Sequence, residues 1–491
     1  MSQLTETSLL LGSLLGDKKS HPGKLLIEHL RSAADFAKRL AKNQKLQVDE
    51  ELLSAIALTH DIGKVDQRFQ RLLEGRGPGA NHSKPSAWFT YSITNNLWAA
   101  EIVCRHHTHL RNIDDIIADW VNDESYIEVM ERLLPDWPYP ISEETISYFQ
   151  DDYLFFEVRN ELNSDLWLTT RLLYSLFISA DRMDAIGVKD LSLKKMPKFN
   201  QPLLLKRSRD IDKWREKIKE ICLEKASEVN GPGVYTLTLP TGAGKTLTGF
   251  KIAHEWANRF GCTSIIYALP FISIVEQTAS VAKSVFGNNV QEDHSLAYSK
   301  EDEEDNYLGE KSPWNKMITL FRYWREPIVL TTLVHFWDAL FNPRANQTMN
   351  FHRLSNAVII LDEPQTISPR YWQGFGQTLS YLSKKLNTIF LLMTATQPHI
   401  VEAKEIAPPN IYFPYNRHLY QAIMTPKIKV DNLADFLVEN LPVYENSGLV
   451  VVNRKKAAIQ IYRELDNLDL PAPILLLSGW VTPLRRRIIL R

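Results

Sequence analysis

A glycine-rich turn between an apolar run and a helix start is the feature that most constrains the fold of this 491-residue sequence. The apolar run, residues 234–239, is typical of a buried strand. Glycines in the turn let successive backbone N–H groups point inward at phosphate oxygens, and the N-terminus of the next helix adds partial positive charge. Lys245 can reach the β and γ phosphates, and the Thr246 hydroxyl can bind Mg²⁺. The pattern predicts a nucleotide-binding turn made of Thr241, Gly242, Ala243, Gly244, Lys245 and Thr246.

Short apolar runs alternate with helical stretches from Gly233 onward. The runs cover residues 234–239, 264–269, 328–331, 357–361 and 388–393. This alternation predicts a parallel sheet with helices on both faces. Two more runs, 448–452 and 474–477, predict the start of a second sheet of the same kind. Residues 1–185 show helical periodicity without comparable β alternation, so we predict an all-α domain followed by α/β domains, the second incomplete.

Two adjacent carboxylates follow one of the predicted central strands. Residues 358–361 are strongly apolar, and Asp362 and Glu363 come directly after them. At the carboxyl end of a parallel strand, Asp362 can coordinate Mg²⁺ through water and Glu363 can orient the attacking water. We therefore add both residues to the nucleotide site and predict that Glu363 is catalytic.

Histidines and aspartates recur through the helical half in an order that suits metal binding. Asp61, in the pair His60-Asp61, can bridge two ions. The predicted ligands are His29, His60, Asp61, His82, His106, His107 and Asp181. Such ligands suit Mn, Fe, Co, Ni or Zn, and two ions can generate hydroxide and bind a scissile phosphate. Asp61 is therefore predicted to be catalytic, with Lys64 neutralising phosphate charge. His21 and His109 are expected to be ordinary core histidines.

This histidine–aspartate order on a helical scaffold resembles the HD phosphohydrolase superfamily. The Thr-Gly-Ala-Gly-Lys-Thr turn and the Asp-Glu-Pro-Gln segment resemble superfamily 2 helicases, although the strict phosphate-loop pattern has glycine in place of Leu239. The helicase resemblance implies contacts with single-stranded nucleic acid through hydroxyls, amides and helix N-termini. The implied contact residues are Pro270, His294, Thr331, Thr332, Thr394 and Thr396. For each of these segments taken singly, an ordinary loop role fits at least as well.

An HD domain fused ahead of a superfamily 2 helicase resembles the CRISPR-associated helicase-nuclease of type I interference systems. The resemblance is carried by His-Asp-Ile-Gly-Lys, Ser-Ala-Asp, Leu-Pro-Thr-Gly-Ala-Gly-Lys-Thr and Asp-Glu-Pro-Gln, in that order. It implies an HD nuclease domain at residues 1–190, a basic linker and helix at 191–225, a first RecA-like domain at 226–420 and the start of a second at 421–491.

The same resemblance implies an activity and partners. It implies two divalent transition-metal ions in the HD site and ATP with Mg²⁺ in the helicase site. It implies recruitment by a crRNA-guided surveillance complex, ATP-driven 3′ to 5′ translocation, and endonucleolytic and exonucleolytic cutting of single-stranded DNA in antiviral defence.

One departure from that family concerns the end of the sequence. The Gln-x-x-Gly-Arg-x-x-Arg type of segment, which supplies arginines to the γ phosphate, is absent, and the sole Gly-Arg pair is Gly75-Arg76. An arginine finger can contribute about 10³-fold or more to phosphoryl transfer. We therefore expect a truncated or split form that binds ATP weakly and unwinds little DNA unless the missing part is supplied. The nuclease half is expected to be complete.

Charge, cysteine spacing and the length of apolar stretches exclude several classes of protein. Lys and Arg total 57 against 58 Asp and Glu, a net charge of -1, which excludes a uniformly basic chromatin-type binder but not a local basic groove. The three cysteines are far apart, which argues against a disulfide scaffold and a thiolate zinc site. The apolar stretch at residues 9–15 is too short to span a membrane, so we expect a cytoplasmic protein with no membrane partner.

Two other functions remain open at this point. The first is an HD phosphohydrolase that acts on nucleotides or cyclic dinucleotides, with a regulatory ATP-binding half. The helicase-type threonines at 331–332 and 394–396 argue against it. The second is a non-catalytic truncated module that binds a partner complex or DNA without turnover.

Overall fold

The computed structural model describes residues 3–77, 81–121, 126–141, 162–188, 192–200, 210–293, 323–414, 432–440, 448–468, 470, 473–482, 485 and 489. Met1–Phe413 form one compact unit and Pro414–Arg491 form a second. The predicted fold class is confirmed, because a helical part precedes a parallel sheet within the first unit. Among the described residues, no helix has the length and apolar character needed to cross a membrane.

The N-terminal part of the first unit is built from nine helices within the described residues. They are α1 Gln3–Leu15, α2 Leu26–Asn43, α3 Glu50–Thr59, α4 Gln67–Leu73, α5 Ser83–Thr94, α6 Leu97–Cys104, α7 Ile113–Val121, α8 Tyr126–Leu133 and α9 Ser164–Ala185. Helix α3 begins where the Asp49 side chain accepts a 2.8 Å hydrogen bond from the Leu52 amide, which satisfies a donor of the first turn. A short antiparallel pair, β1 Lys19–His21 and β2 Lys24–Leu25, adds two strands to the predicted all-α pattern.

The sheet of the first unit contains seven strands in the described residues, and every neighbouring pair is parallel. The strand order is β5-β6-β4-β7-β8-β3-β9. The strands are β3 Gly233–Thr238, β4 Ser264–Leu269, β5 Val290–Asp293, β6 Ile328–Thr332, β7 Ala357–Asp362, β8 Ile389–Thr394 and β9 Lys404–Glu405. The five apolar runs predicted between residues 234 and 393 therefore all form strands.

Helices cover both faces of this sheet, as predicted. Strand β7 shows why its sequence is apolar throughout: Val358 and Ile360 join the core on one face, whereas Ile359 and Leu361 join the core on the other. The helices are α10 Asp210–Ser227, α11 Lys245–Phe260, α12 Ile272–Phe286, α13 Leu333–Phe341, α14 Ala345–Thr348 and α15 Trp372–Lys385. The described residues also contain four 3₁₀ turns, at Ile62–Val65, Phe351–Leu354, Pro364–Thr366 and Pro369–Tyr371.

Helix α9 belongs to both parts of the first unit. Leu168 and Leu172 pack into the core on one face of the sheet. Leu173 and Phe177, also four residues apart, pack into the core of the N-terminal helices. Because residues at i and i+4 share a helix face, α9 presents one apolar face to each core. The helical part and the sheet part therefore share one element.

The second unit departs from the sequence prediction. Its described helices are α16 Leu433–Asn440 and α17 Lys455–Asp466. The runs 448–452 and 474–477, predicted as strands of a second sheet, form no strand. Leu449 and Val451 are 85% and 81% exposed, and an apolar run becomes a strand only when a neighbouring strand satisfies its backbone groups. The assignment of residues 421–491 to a second RecA-like domain stays a prediction.

Candidate functional site

The candidate metal ligands come from element ends and from one long helix. His60 is the C-cap residue directly after α3, and Asp61 precedes the 3₁₀ turn Ile62–Val65. His82 lies immediately before α5, and His106-His107 follow α6. His29 and Asp181 lie inside α2 and α9. These elements pack around one point, and all seven side chains predicted as ligands meet there.

One group of ligands forms around the Nε2 atoms of two histidines. His29 Nε2 and His60 Nε2 lie 3.2 Å apart. Asp61 Oδ2 lies 3.3 Å from His29 Nε2 and 3.5 Å from His60 Nε2. Asp181 Oδ1 completes the group, at 3.2 Å from His29 Nε2 and 3.3 Å from His60 Nε2. Two imidazole nitrogens and two carboxylate oxygens thus face a common point.

A second group forms on the other oxygen of the same aspartate. Asp61 Oδ1 lies 3.1 Å from His82 Nε2 and 3.6 Å from His106 Nε2. His107 Nε2 lies 3.1 Å from His82 Nε2. Asp61 is therefore shared, with Oδ2 facing the first group and Oδ1 facing the second. This is the relationship expected of a carboxylate that bridges two ions.

The residues present fit a pair of divalent metal ions. An ion with bonds of about 2.0–2.1 Å to nitrogen places neighbouring ligand atoms roughly 3.0–3.4 Å apart, and the closest histidine nitrogens here are 3.1–3.2 Å apart. Asp61 Oδ1 and His106 Nε2 are buried and meet no partner with hydrogen-bond geometry in the described part of the chain. Buried polar atoms of this kind need a partner, and a bound ion would supply one.

The other ring nitrogen of three histidines is already engaged. His60 Nδ1 donates to the Ala57 carbonyl at 2.8 Å, and His106 Nδ1 donates to the Val103 carbonyl at 2.6 Å. Because a carbonyl oxygen can only accept, these Nδ1 atoms carry the proton and the Nε2 lone pairs face the cluster. His29 Nδ1 lies 2.5 Å from a carboxylate oxygen of Asp184.

The electrostatics of the cluster favour the metal-binding forms of several residues. Burial raises the pKa of Asp61, but nearby Lys64 and His60 outweigh it and bring its pKa well below the usual range. Burial lowers the pKa of His82 to about 4. Burial, with His106 and His82 as neighbours, also lowers the pKa of His107 well below its usual value. An ionised Asp61 and neutral imidazoles are the forms that coordinate metal.

Lys64 lies inside the cluster rather than at its rim. Its ammonium group is 2.7 Å from Asp61 Oδ2, and the residue is only 5% exposed. Lys64 also lies over the ring of Phe69, with 5.2 Å between the ammonium and the ring centroid. The structure therefore places Lys64 beside the bridging carboxylate, and its action on a phosphate stays a prediction.

The sequence analysis missed Asp184. This residue lies three positions after Asp181 on α9, contacts His29 Nδ1, and also forms an ion pair with Lys24. A carboxylate on the second nitrogen of a metal-ligating histidine sets its orientation and tautomer. The available signal was the i, i+3 spacing of two aspartates, which puts both on one face of a helix.

The predicted nucleotide-binding turn follows β3 at the carboxyl edge of the sheet. Gly242 and Gly244 both have φ of 88°, a backbone conformation that side chains disfavour. Lys245 Nζ lies 2.7 Å from Glu363 Oε1, so the lysine of the turn meets the acid that follows β7. Arg215, which the sequence analysis did not single out, donates a 2.8 Å hydrogen bond to the Gly242 carbonyl.

The two acids of this site have different environments. Burial raises the pKa of Asp362 to about 6, although Tyr267 donates a 3.1 Å hydrogen bond to its Oδ2. Glu363 is less buried, and its pKa is lowered because hydrogen bonds from Lys245 and Gln365 outweigh desolvation. The Thr394 hydroxyl donates a 3.0 Å hydrogen bond to Glu363 Oε2. Glu363 thus lies at the centre of a polar network beside the predicted nucleotide-binding turn.

Three of the predicted strand-contact residues are buried in the structure, and their contact with a strand stays a prediction. Thr331 and Thr394 are both 0% exposed, and the Thr394 hydroxyl is bonded inside the nucleotide site. Thr332 is buried and its side chain caps α13. Thr396 is exposed and Pro270 is half-buried, whereas His294 lies outside the described residues.

Comparison with known protein families matches two parts of the chain. Residues 26–134 match the HD domain family. Residues 206–399 match the family described as type III restriction enzyme, res subunit (ResIII). The HD match contains every clustered ligand except Asp181, which lies beyond its end.

Two curated relatives carry the name CRISPR-associated nuclease/helicase Cas3. The Haloferax volcanii protein is 24% identical over 471 residues, which cover 77% of this chain and 49% of the relative. The Methanothermobacter thermautotrophicus protein is 24% identical over 541 residues, which cover 90% of this chain and 62% of the relative. The chain therefore spans only 49% to 62% of the length of these relatives.

Among solved structures, T. fusca Cas3 is similar, with 18% identity and a TM-score of 0.43 over 78% of this chain and 50% of the other. The HD and ResIII matches follow each other in one chain, in the order that the structure shows as helical part and sheet part. The alignments with the two curated relatives cover 77% and 90% of this chain. The chain thus resembles these Cas3 relatives in one combination, an HD domain followed by a helicase domain.

Proposed function

We propose that the HD domain is a metal-dependent phosphodiesterase that cuts single-stranded DNA, and that the helicase domain is part of the ATP-driven motor that moves along the strand. One observation carries the nuclease proposal: Asp61 is shared between two ligand groups, with one carboxylate oxygen facing each. A carboxylate between two ions is typical of two-metal phosphodiesterases. One ion would be held by His29, His60, Asp61 and Asp181, and the other by Asp61, His82, His106 and His107.

The residues of the chain prepare this site for phosphodiester hydrolysis. When bound, two divalent ions supply a hydroxide nucleophile near neutral pH and charge balance for the phosphate. The Lys64 ammonium, the largest of the charges that lower the pKa of Asp61, keeps this carboxyl group ionised despite its burial. Hydrogen bonds from Nδ1 to backbone carbonyls orient the His60 and His106 rings toward the cluster. Lys64, 2.7 Å from Asp61, provides a positive charge beside the position of the phosphate.

We further propose that ATP binds between the phosphate-binding turn and the carboxyl end of β7. Lys245 would contact the β and γ phosphates, Thr246 and Asp362 would hold Mg²⁺, and Glu363 would orient the attacking water. The 2.7 Å contact between Lys245 and Glu363 supports this placement, because it brings the lysine of the turn and the acid that follows β7 to one place. Since the curated relatives are named CRISPR-associated, we propose delivery of the DNA by a crRNA-guided surveillance complex.

Degradation of a circular single-stranded DNA tests the nuclease proposal. The full chain is incubated with Mn²⁺, without ATP, and the expected result is loss of the circles, because only an internal cut can open them. Asp61→Ala is expected to abolish the cutting. Asp35→Ala is the matched control, since Asp35 lies on α2 with His29 but is an exposed residue paired with Arg39.

The alternatives predict different outcomes in the same assay. Intact circles alongside hydrolysed nucleotides or cyclic dinucleotides would favour a nucleotide phosphohydrolase. Intact circles without any hydrolysed substrate, together with DNA binding unchanged in Asp61→Ala, would favour a non-catalytic binding module. ATP hydrolysis stimulated by single-stranded DNA, measured in parallel, tests the motor proposal separately, and its absence would leave the nuclease proposal intact.

A further inference from the structure

We propose that one stretch of the helicase domain, residues 342–353, positions the metal ligands of the HD domain. We call it the contact segment. It hydrogen-bonds to two separate parts of the HD domain, and each of these parts carries metal ligands. The inference rests on the proposed metal-dependent nuclease and adds to it a positioning role for helicase residues.

The first contact is with α9, the helix that carries Asp181. The Met349 carbonyl accepts hydrogen bonds from the Ser175 hydroxyl at 3.1 Å and from the Ser179 hydroxyl at 2.8 Å. The Ser175 oxygen also accepts a 3.1 Å hydrogen bond from the His352 amide. Both serines are 0% exposed, so no water competes for these bonds. Ser179 lies two residues before Asp181, so this attachment is within one helical turn of a predicted ligand.

A buried arginine on the same helix strengthens this attachment. Arg171 donates hydrogen bonds to the Ala339 carbonyl at 2.9 Å and to the Asn342 carbonyl at 2.8 Å, at the C-terminus of α13. Its guanidinium carbon lies 5.1 Å from the ring centroid of Phe351. The negative end of the α13 dipole and the ring face both stabilise a cation that burial removes from water. Arg171 thus restrains the position of α9 relative to the contact segment.

The second contact is with the loop that follows His107. The Ala345 amide donates a 2.9 Å hydrogen bond to the Thr108 carbonyl, and the Leu110 amide donates a 3.1 Å hydrogen bond to the Pro343 carbonyl. Between them, His109 and Arg344 form an antiparallel bridge. This pairing begins one residue after His107. It therefore restrains the backbone of the His106-His107 pair, which supplies the second ligand group.

These two attachments restrain the two ligand groups relative to each other. Within the HD domain, the Tyr174 hydroxyl of α9 donates a 2.9 Å hydrogen bond to the carbonyl of Arg105, the residue before His106. Helix α9, the His106-His107 turn and the contact segment therefore form a closed set of three mutually bonded elements. Loosening either attachment should weaken metal binding without touching any ligand.

Titration of the full chain with Co²⁺ tests the inference, because the visible absorption of Co²⁺ reports its ligands directly. The variant Ser175→Ala/Ser179→Ala removes both hydrogen bonds to Met349 while leaving every ligand in place. It is expected to bind Co²⁺ about tenfold more weakly, which is the lower end of the loss found when partners of metal ligands are removed. Ser383→Ala is the matched control, since Ser383 is also a buried helical serine but bonds within its own helix, and it should bind Co²⁺ as the unaltered chain does.

A second variant tests the other attachment. Ala345→Pro removes the amide that donates to Thr108, at the first residue of α14, where proline is tolerated. The preceding Arg344 has φ of -67° and ψ of 137°, which suits a residue before proline. The Ala345→Pro variant is expected to weaken Co²⁺ binding at the site that contains His106 and His107 more than at the site that contains Asp181. All titrations are made well below the melting temperature of each variant, so that a loss of stability alone does not change the affinity.

The outcomes separate the inference from the function on which it rests. Co²⁺ binding by the unaltered chain with weaker binding by both attachment variants supports the inference. Co²⁺ binding by the unaltered chain, with the same affinity in both folded variants, overturns the inference and leaves the nuclease proposal standing. No Co²⁺ binding by the unaltered chain overturns both.

Discussion

Asp184 Oδ2 lies 2.5 Å from His29 Nδ1, on the side of the imidazole ring opposite to the metal ligand cluster. The same carboxylate forms an ion pair with Lys24. Asp184 therefore orients His29 so that Nε2 faces the cluster, and its negative charge makes that nitrogen a stronger ligand. This contact crosses from α9 to α2, and it connects the two helices that carry Asp181 and His29.

We predict that Asp184→Ala lowers metal affinity by about 10–100-fold at the site that contains His29 and Asp181. The reason is that His29 loses the group that orients its ring. Asp184→Asn should lose less metal affinity, since its amide oxygen can still accept a hydrogen bond from His29 Nδ1. Isothermal titration with Mn²⁺ or Co²⁺ measures both. Asp35→Ala, on α2 but exposed, should bind metal as the unaltered chain does. Equal affinities in all four proteins would contradict the orienting role of Asp184.

We predict that Lys245→Ala weakens ATP binding by about 10–100-fold, because hydrogen bonds to charged groups contribute about 1.5–3 kcal/mol. Fluorescence titration with a labelled ATP analogue measures the loss. Lys251→Ala is the control, since Lys251 lies on the same helix but pairs with Glu255. DNA cutting in the absence of ATP should be unchanged by either substitution. Unaltered nucleotide affinity in Lys245→Ala would indicate that ATP binds at another site.

Metal removal should lower the thermal stability of the chain. A ligand that binds only the folded state stabilises it by about 2.7 kcal/mol at a free concentration of 100 times its Kd. We therefore expect Mn²⁺ or Co²⁺ to raise the melting temperature of chelator-treated protein, measured by circular dichroism, and EDTA to reverse the change. Asp61→Ala should lose this response, because it removes the ligand shared by both groups. A full response in Asp61→Ala would indicate metal binding at another place.

Gly63 is predicted to be essential for the position of His82. A Cβ atom on Gly63 would lie 2.3 Å from the His82 carbonyl oxygen and 3.0 Å from its carbonyl carbon, both backbone atoms. Gly63→Ala should therefore destabilise the fold by about 1–3 kcal/mol, as overpacking does, and weaken the metal site that contains His82. The control Gly374→Ala has open space around its new methyl group and a helical position, so it should be neutral or stabilising. Urea unfolding and Co²⁺ titration measure the two effects.

Much of the fold follows from local sequence pattern. The apolar runs between residues 234 and 393 all became strands, because a run long enough for a strand and bounded by turn residues has few other ways to be buried. The backbone of the predicted nucleotide-binding turn also follows from local sequence, since Gly242 and Gly244 take a φ that favours glycine. By contrast, the runs at 448–452 and 474–477 form no strand, because a strand depends on neighbours that the run itself does not specify.

In the candidate site, too, some features could be predicted from the sequence and others could not. Residue type and spacing predicted that His29, His60, Asp61 and their partners can bind metal, but not that the two oxygens of Asp61 would face different groups. Thr331 and Thr394 were expected to contact DNA because their neighbours resemble helicase motifs, yet both are buried. Burial depends on packing between elements, which the local sequence around a threonine does not determine.

By itself, the sequence determined the order of the elements, the two domain types and the residue types of the candidate metal ligands, because these depend on composition and short-range periodicity. Only the tertiary structure decided that Asp61 is shared between two groups, that Asp184 orients His29, and that Met349 of the helicase domain bonds to the helix of Asp181. The physical reason is that each of these contacts joins residues far apart in the chain. Their distances are set by how helices and sheet pack, and no local pattern encodes that packing.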